Sequence, residues 1–232
     1  DRKYADDKSV LCGLAKIENQ PFFIIAQEKG RGTKNKVKRN FGMMKPEGYR
    51  KAERVMKLAE KYSIPIITLI DTPGAYPGLG AEERGQAEAI ARNLFVMSGL
   101  KTIILSIVIG EGASGGALGI GVCDKLMCLE NTWYSVISPE GCASILYRDS
   151  TRASSAADEM RVTAKDLYDM GIADSIIKEP DCGAHLNHQG ASHLIKEAIL
   201  SEYYNLRKIT IEELLENRHN KYSNIGIWNE DE

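Results

Sequence analysis

The chain has 232 residues, 43% of them hydrophobic and 27% charged, and a formal net charge of −2 at pH 7. This length and composition indicate a globular protein with one large or two small domains, and the near-neutral charge argues against a molecule built as a whole to bind nucleic acid or an anionic membrane. No apolar run approaches the roughly 18 residues that span a bilayer, and the polar N-terminus does not resemble a secretory signal.

The first part of the chain predicts a hairpin followed by a helix. Residues 9–17 and 22–27 have the pattern of two strands joined by a turn. A basic, glycine-containing loop is expected at 31–45. Pro46 suits the first turn of a helix, and apolar residues then recur at helical spacing as far as Tyr62.

The central segment predicts two buried strands joined by a helix. The apolar stretches at 64–70 and 102–109 lack alternation, which indicates strands buried on both faces. A Pro- and Gly-rich loop at 71–80 and a helix at 82–98 connect them. The second strand leads into a turn at 110–119, where five glycines allow the backbone to approach a ligand closely.

The next segment predicts short strands and further helices. Residues 125–130 and 133–137 have the pattern of two short strands that pair with each other. A helix is expected to start at Ser138-Pro139-Glu140, where a capping residue precedes a first-turn proline. Residues 152–170 predict a helix in two pieces, with Thr163 as the N-cap of the second.

The chain ends with a short strand and helices. A strand is predicted at 172–177, an amphipathic helix at 192–203, and a final helix that opens at Thr210. Because strands and helices alternate throughout, we expect an α/β layered architecture. The simplest organisation is one domain over residues 1–232 with a helical extension at 190–232.

The cysteines indicate a reducing compartment. They are odd in number, scattered, and without a C-x2-C pair: Cys12, Cys123, Cys128, Cys142 and Cys182. Most have apolar neighbours, so we interpret them as reduced core thiols. A zinc site formed by this chain alone is not expected.

The glycine turn has three interpretations. Gly112-Ala113-Ser114-Gly115-Gly116 matches the G-x-S-x-G pattern of a nucleophile elbow. A hydrolase would also need a histidine and an acid near Ser114, and His185 is the candidate among four histidines in the C-terminal third. Alternatively, the glycines only permit tight packing, or main-chain N–H groups form an oxyanion hole without a serine nucleophile. The third interpretation is favoured.

Other polar motifs leave alternatives open. Asp71-Thr72-Pro73-Gly74 matches the D-x-x-G motif of GTPases, but the phosphate loop that a GTPase needs is absent, so this loop is a ligand-binding loop or simply a turn. Residues 29–39 contain six cationic side chains and no acidic one. Such a segment is either an ordinary solvent-exposed surface or a binding site for phosphates. Glu111 and Glu140 each flank a glycine turn and could orient a substrate amide or a loop.

Eight ordered segments closely resemble one family. They lie at residues 1–7, 39–43, 46–52, 70–78, 80–86, 108–112, 114–118 and 135–143. The chain resembles the carboxyltransferase α subunit of multisubunit acetyl-CoA carboxylase, of the bacterial and plastid type, from Asp1 to about Asn187 and more weakly beyond. Family members carry an additional N-terminal helical region that is absent here. Because the chain also lacks an initial Met, we expect a fragment or a trimmed product.

This resemblance implies a fold, a reaction and partners. The fold would be crotonase-like (ClpP/crotonase), an α/β fold of stacked β-β-α units. The reaction would transfer carboxylate from carboxybiotin on its carrier protein to acetyl-CoA, giving malonyl-CoA for fatty-acid synthesis. The partners would be a zinc-ribbon β subunit, the biotin carboxyl carrier protein and biotin carboxylase. The resemblance suggests an α2β2 assembly in the cytoplasm or plastid stroma, with no membrane contact and no metal in this chain.

The resemblance also implies the site. It places the biotin-side oxyanion hole at Gly115 and Gly116, which would hold negative charge on the ureido oxygen; the biotin nitrogen could then take the proton, so no protein base is required. Further substrate contacts are expected at Gly112, Ala113, Ala117, Tyr76, Glu140, Gly141, Lys34, Lys38 and Arg39. We expect Gly116→Val to block this chemistry while leaving the fold and β-subunit pairing intact.

Two other function classes compete with this one. A serine hydrolase of ClpP-like shape would share the fold, and a catalytically inert scaffold would only assemble partners. Labelling of Ser114 by a fluorophosphonate probe would favour the hydrolase, whereas an inactive reconstituted complex would favour the scaffold.

Overall fold

A seven-stranded sheet forms the centre of the structure, a computed structural model that describes residues 1–226. The strands are β1 Val10–Ile17, β2 Gln20–Gln27, β3 Ile66–Thr72, β4 Ile104–Ala113, β5 Lys125–Leu129, β6 Trp133–Ser135 and β7 Ser175–Ile177. Their order is β1-β2-β3-β4-β5-β7, and β6 also pairs with β4. The β1–β2 hairpin is antiparallel and the other pairs are parallel.

Helices cover both faces of this sheet. They are α1 Gly32–Lys38, α2 Pro46–Tyr62, α3 Leu79–Glu83, α4 Gln86–Gly99, α5 Ser114–Leu118, α6 Pro139–Leu146, α7 Ala153–Met160, α8 Ala164–Asp169, α9 His188–Leu206 and α10 Ile211–Ser223. Two short 3-10 turns lie at Asn40–Gly42 and Ser150–Arg152. No helix within residues 1–226 is long and apolar enough to cross a membrane.

Two cores form because alternate strand residues point to opposite faces. Ile66 and Ile70 of β3 pack in one core with Tyr49 of α2. Ile67, which follows Ile66 in the chain, packs in the other core with Tyr203 of α9. The β-branched stretch at 64–70 is therefore buried on both faces, as its lack of alternation predicted.

The predicted α/β alternation is confirmed, and several element boundaries follow the expected local chemistry. α2 begins at Pro46. The Ser138 side chain accepts a hydrogen bond from the Gly141 N–H at 3.2 Å and caps α6. Thr163 and Asp166 form a capping box at the start of α8.

Three local predictions are wrong. The basic loop at 31–45 contains α1 and a 3-10 turn, because its lysines support a helix once Gly32 has turned the chain. The helix at 82–98 is broken at Gly85, whose φ of +79° is left-handed, so that α3 and α4 are separate. The short strands β5 and β6 do not pair with each other.

The position of β6 follows from the length of β4. Residues 105–108 of β4 pair with β5, and residues 111–113 pair with β6. The ten-residue β4 therefore holds both short strands, one after the other, along the same edge. This arrangement places β6 beside the glycine turn.

The C-terminal helices pack against the body of the molecule. The proposed extension at 190–232 corresponds to most of α9 and all of α10, and residues 227–232 lie outside the described part of the chain. Arg218 of α10 is 1% exposed and pairs with Asp124, which lies just before β5. α10 is thus anchored in the interior.

The cysteines differ in burial. Cys123 and Cys128 are buried, Cys12 and Cys142 are half-buried, and Cys182 is exposed. Burial raises the pKa of Cys12 to about 11 and that of Cys128 to about 12, so both remain protonated at neutral pH.

Candidate functional site

The site is built around the turn between β4 and α5. β4 ends at Ala113, and Ser114 begins α5 with a left-handed φ of +59°, which bends the chain sharply and leaves the Ser114 side chain exposed. The N–H groups of Gly115 and Gly116 lie in the first turn of α5, where no preceding helical carbonyl is available. Neither N–H has a hydrogen-bond acceptor within residues 1–226.

The two glycines have different surroundings. A Cβ on Gly116 would lie 2.2 Å from the carbonyl carbon of Gly74 and 2.4 Å from the nitrogen of Ala75. A Cβ on Gly115 would meet only Ile90, at an ordinary distance of 3.6 Å. Any side chain at Gly116 would push against this backbone, so the structure argues against the expectation that Gly116→Val leaves the fold intact.

Gly116 is also held through its carbonyl. Its oxygen accepts a hydrogen bond from Gln27 Nε2 at 2.9 Å and another from the Tyr49 hydroxyl at 3.1 Å. Both side chains are buried, and burial raises the pKa of Tyr49, which therefore remains a donor. Neither residue was singled out from the sequence, because each is distant from Gly116 along the chain.

A cavity of about 450 Å³ opens beside the turn. Its lining is mainly apolar: Ser114, Gly115, Leu118, Tyr134, Ser135, Val136, Met160, Arg161, Val162, Leu167, Met170 and Ile172. No histidine or carboxylate is among them. His185, the predicted partner of Ser114, is exposed and its ring lies beside Gly183, and no hydrogen bond joins Ser114 to a histidine within residues 1–226. The elbow geometry of Ser114 is therefore present without the acid and base of a hydrolase.

A charged cluster lies at the carboxyl ends of three neighbouring strands. Lys29 Nζ follows β2 and is 2.8 Å from Asp71 Oδ1 at the end of β3, and it also pairs with Glu111 of β4. Asp71 Oδ1 accepts a second bond from the Glu111 N–H at 3.1 Å. Asp71 and Glu111 are thus engaged with Lys29. The ion pair explains Gly110, whose Cβ would lie 2.3 Å from Asp71 Oδ1.

Tyr76 lies in the loop between β3 and α3. Its N–H donates to the Met44 carbonyl at 3.1 Å, and Lys45 Nζ lies 5.0 Å from the centre of its ring. Tyr76 and Ile90 line a second cavity of about 370 Å³. Ile90 is also the nearest neighbour of a Cβ placed on Gly115, so its side chain lies between this cavity and the glycine turn.

The remaining predicted site residues near the turn are mostly structural neighbours of the two glycines. Gly112, Ala113 and Ala117 are buried. A Cβ on Gly112 would lie 2.3 Å from the ring of Tyr134, so this glycine makes room for that ring. These residues shape the turn from inside.

The other predicted contacts lie on the first turn of α6 and on or just after α1. Glu140 is exposed, and the Gly141 N–H is engaged by Ser138. Lys34 and Lys38 are exposed on α1. Arg39 Nη1 donates to the Lys8 carbonyl at 2.6 Å. No group of residues that could hold a metal ion is found within residues 1–226.

The family follows from comparison with known proteins. The family model described as acetyl co-enzyme A carboxylase carboxyltransferase-like matches residues 1–226. The chain belongs to this carboxyltransferase family. A relative from Marinomonas sp. (strain MWYL1), named acetyl-coenzyme A carboxylase carboxyl transferase subunit alpha, is 56% identical over 98% of this chain and 72% of its own length. A Campylobacter hominis relative of the same name is 54% identical over 99% of this chain and 74% of its own.

Solved structures agree on the fold. A Pseudomonas malonate decarboxylase heterotetramer in complex with coenzyme A superposes with a TM-score of 0.69 at 14% identity, covering 95% of this chain and 89% of that chain. Transcarboxylase 12S superposes with a TM-score of 0.65 at 20% identity, covering 73% of this chain and 34% of that chain. The predicted crotonase-like α/β fold and the predicted carboxyltransferase activity of an α subunit are confirmed.

Proposed function

We propose that this chain forms the carboxybiotin side of an acetyl-CoA carboxyltransferase, and that the N–H groups of Gly115 and Gly116 hold the ureido oxygen of the carboxyl donor. Carboxylate passes to acetyl-CoA and yields malonyl-CoA for fatty-acid synthesis. The observation that carries this proposal is the pair of adjacent N–H groups without acceptors within residues 1–226, at a turn where Gly115 lines an apolar cavity.

The chemistry of this pair suits the reaction. When the carboxyl group leaves biotin, negative charge develops on the ureido oxygen. Fixed main-chain donors stabilise such charge, and the loss of one donor typically lowers a rate by about 10²- to 10³-fold. The apolar wall of the cavity suits the hydrocarbon part of the biotin ring system, while the two N–H groups suit its polar end. Gly115 and Gly116 would act as catalytic donors, and Gly112, Ala113 and Ala117 would shape their turn.

The surroundings of the site support a shared active site. Val136 is 79% exposed beside the cavity, and Ile145 and Leu146 of the following helix are 70% and 64% exposed. Apolar side chains so exposed are suited to an interface. We assign this face to the zinc-ribbon β subunit in an α2β2 assembly, with Glu140, Gly141 and Tyr76 near the substrate. The carrier protein would deliver biotin, and biotin carboxylase would recharge it, in the bacterial cytoplasm.

The basic helix α1 has a supporting role in this proposal. Lys34 and Lys38 project from it into solvent, and Arg39 follows it. We assign these cations to the phosphates of CoA or to acidic groups of the carrier protein.

The test is reconstitution. The chain is mixed with a β subunit, free biotin and malonyl-CoA, and the release of acetyl-CoA is measured against each subunit alone. We expect activity only in the mixture. Release that does not depend on this chain would refute the proposal.

A hydrolase gives a different result. The left-handed Ser114 at the strand-to-helix turn has the geometry of a nucleophile elbow. A fluorophosphonate probe that labels Ser114 in the wild-type chain, and not in Ser114→Ala, would replace the carboxyltransferase mechanism with a serine hydrolase. We expect no labelling, because no histidine or carboxylate lines the cavity.

A further inference from the structure

The carbonyl oxygen of Gly116 accepts hydrogen bonds from two elements that are distant along the chain. Gln27, the last residue of β2, donates to it at 2.9 Å from 89 residues away. Tyr49 of α2 donates to the same oxygen at 3.1 Å from 67 residues away. Gln27 is 4% exposed and Tyr49 is fully buried, so solvent does not compete for either bond. A backbone carbonyl inside a helix ordinarily accepts only from its own helix.

The local structure explains why outside support matters here. α5 has five residues and therefore few internal hydrogen bonds. Gly116 has no side chain to restrict its backbone angles. The peptide plane before its Cα is fixed by the Gly119 N–H, which donates to the Gly115 carbonyl at 2.9 Å. The plane after its Cα is fixed by Gln27 and Tyr49. Both planes that meet at Gly116 are thus held.

The orientation of Gln27 is itself determined by its partners. Its Oε1 accepts from the Asp71 N–H at 3.0 Å, so its Nε2 must face the Gly116 carbonyl. Gln27 therefore connects the carboxyl end of β3 to α5. The loop that follows β3 brings Gly74 and Ala75 against the Cα of Gly116. Gly116 is thus held at its carbonyl by Gln27 and Tyr49, and at its Cα by the loop after β3.

We propose that Gln27 and Tyr49 are positioning residues: by holding the peptide plane after Gly116 they keep the first turn of α5, and with it the Gly116 N–H, in place toward the reacting oxygen. This inference rests on the proposed function, in which that N–H is a catalytic donor. The two side chains act through Gly116 and do not touch the substrate. Catalysis by main-chain donors requires such prior alignment, since a displacement of about 1 Å can lower a rate by about 100-fold.

The test uses the reconstituted complex and the reverse reaction of malonyl-CoA with biotin. Tyr49→Phe removes one donor and keeps the ring, and Gln27→Met removes the other at similar size. We expect kcat to fall about 10-fold in each variant and about 100-fold in the double variant, while KM for malonyl-CoA stays unchanged. Tyr203→Phe is the matched control. It also deletes a hydroxyl from a buried tyrosine, but this hydroxyl makes no hydrogen bond within the described residues, so kcat should not change.

A backbone ester at position 116 separates positioning from general stability. Replacing the Gly115–Gly116 amide by an ester removes the N–H and adds no side chain. In this background Tyr49→Phe should change kcat by less than about 2-fold, because no donor is left to position. If Tyr49→Phe costs the same factor with and without the ester, its effect is only structural and the positioning role is overturned.

The remaining outcomes distinguish the two proposals. If the ester lowers kcat but Tyr49→Phe leaves the wild-type rate unchanged, the positioning inference fails and the proposed function stands. If the ester itself leaves kcat unchanged, Gly116 is not a donor and its part in the proposed function fails.

Discussion

The polar groups at the two ends of β4 differ in whether they are hydrogen-bonded within the protein. At the amino end, Arg218 donates five hydrogen bonds of 2.7 to 2.9 Å, to both oxygens of Asp124 and to the carbonyls of Met97, Leu100 and Thr102. Asp124 in turn accepts from the Ile104 N–H at 2.7 Å. At the carboxyl end, the N–H groups of Gly115 and Gly116 have no acceptor within residues 1–226.

This difference separates stability from function along one strand. A buried guanidinium with every donor engaged fixes α10 to the sheet and leaves nothing for a ligand. The carboxyl ends of parallel strands are where α/β sheets bind ligands, and there the N–H groups stay available. The amino end of β4 should therefore be sensitive in unfolding experiments, and the carboxyl end in kinetic ones.

The largest expected effect is at the amino end. Arg218→Met leaves Asp124 as an unpaired buried carboxylate, so we expect the free energy of unfolding to fall by about 3–5 kcal/mol. Urea denaturation measures it. Lys165→Met, which breaks an exposed ion pair with Asp169, is the control and should leave the unfolding midpoint unchanged. A loss below about 1 kcal/mol for Arg218→Met would mean that α10 is not anchored by this pair.

A second comparison uses the two adjacent glycines at the carboxyl end. Gly116→Ala places a Cβ against the backbone of Gly74 and Ala75, so we expect a loss of about 1–3 kcal/mol in stability. Gly115→Ala finds room near Ile90 and should stay within about 0.5 kcal/mol of the parent chain. Thermal unfolding of both variants checks this. Equal stabilities would show that the tight contact at Gly116 is relieved by movement of the loop.

The smallest effect is expected from the basic helix. Replacing Lys34, Lys36 and Lys38 with Ser should raise the KM for malonyl-CoA or for the carrier protein by about 2- to 5-fold at low salt, and the difference should shrink as salt screens the charges. Steady-state kinetics of the reconstituted complex at two ionic strengths measure it, with Lys165→Ser as the control. If neither KM changes, α1 is only a solvated surface.

The sequence predicted features that depend on neighbouring residues. The glycine turn was recognisable because five glycines follow a mainly apolar strand. The caps at Ser138 and Thr163 depend on residues three positions apart, and both were predicted. Residues 152–170 were predicted to form a helix in two pieces, and the structure has two helices there, α7 and α8.

Features that depend on distant residues were not predictable in this way. Arg218 and Asp124 are 94 residues apart, and nothing in either local pattern indicates their pairing. The same holds for Gln27 and Gly116. β6 was assigned to the wrong partner because two short strands close in sequence suggest a hairpin. In the structure β6 pairs instead with residues 111–113 of β4, which β5 leaves free. Acids at the ends of β3 and β4 gave a signal for the Lys29 ion pair, but only the parallel pairing of the strands brings them together.

The availability of the Gly115 N–H is tested most directly by removing that one hydrogen. An amide-to-ester exchange between Ser114 and Gly115 deletes the donor and leaves every side chain in place, and the same exchange at Gly226, after α10, is the control. In the reconstituted complex, transfer between malonyl-CoA and biotin should slow by about 10²- to 10³-fold at unchanged KM for malonyl-CoA. A rate equal to that of the control would contradict the assignment of the reacting oxygen to this turn.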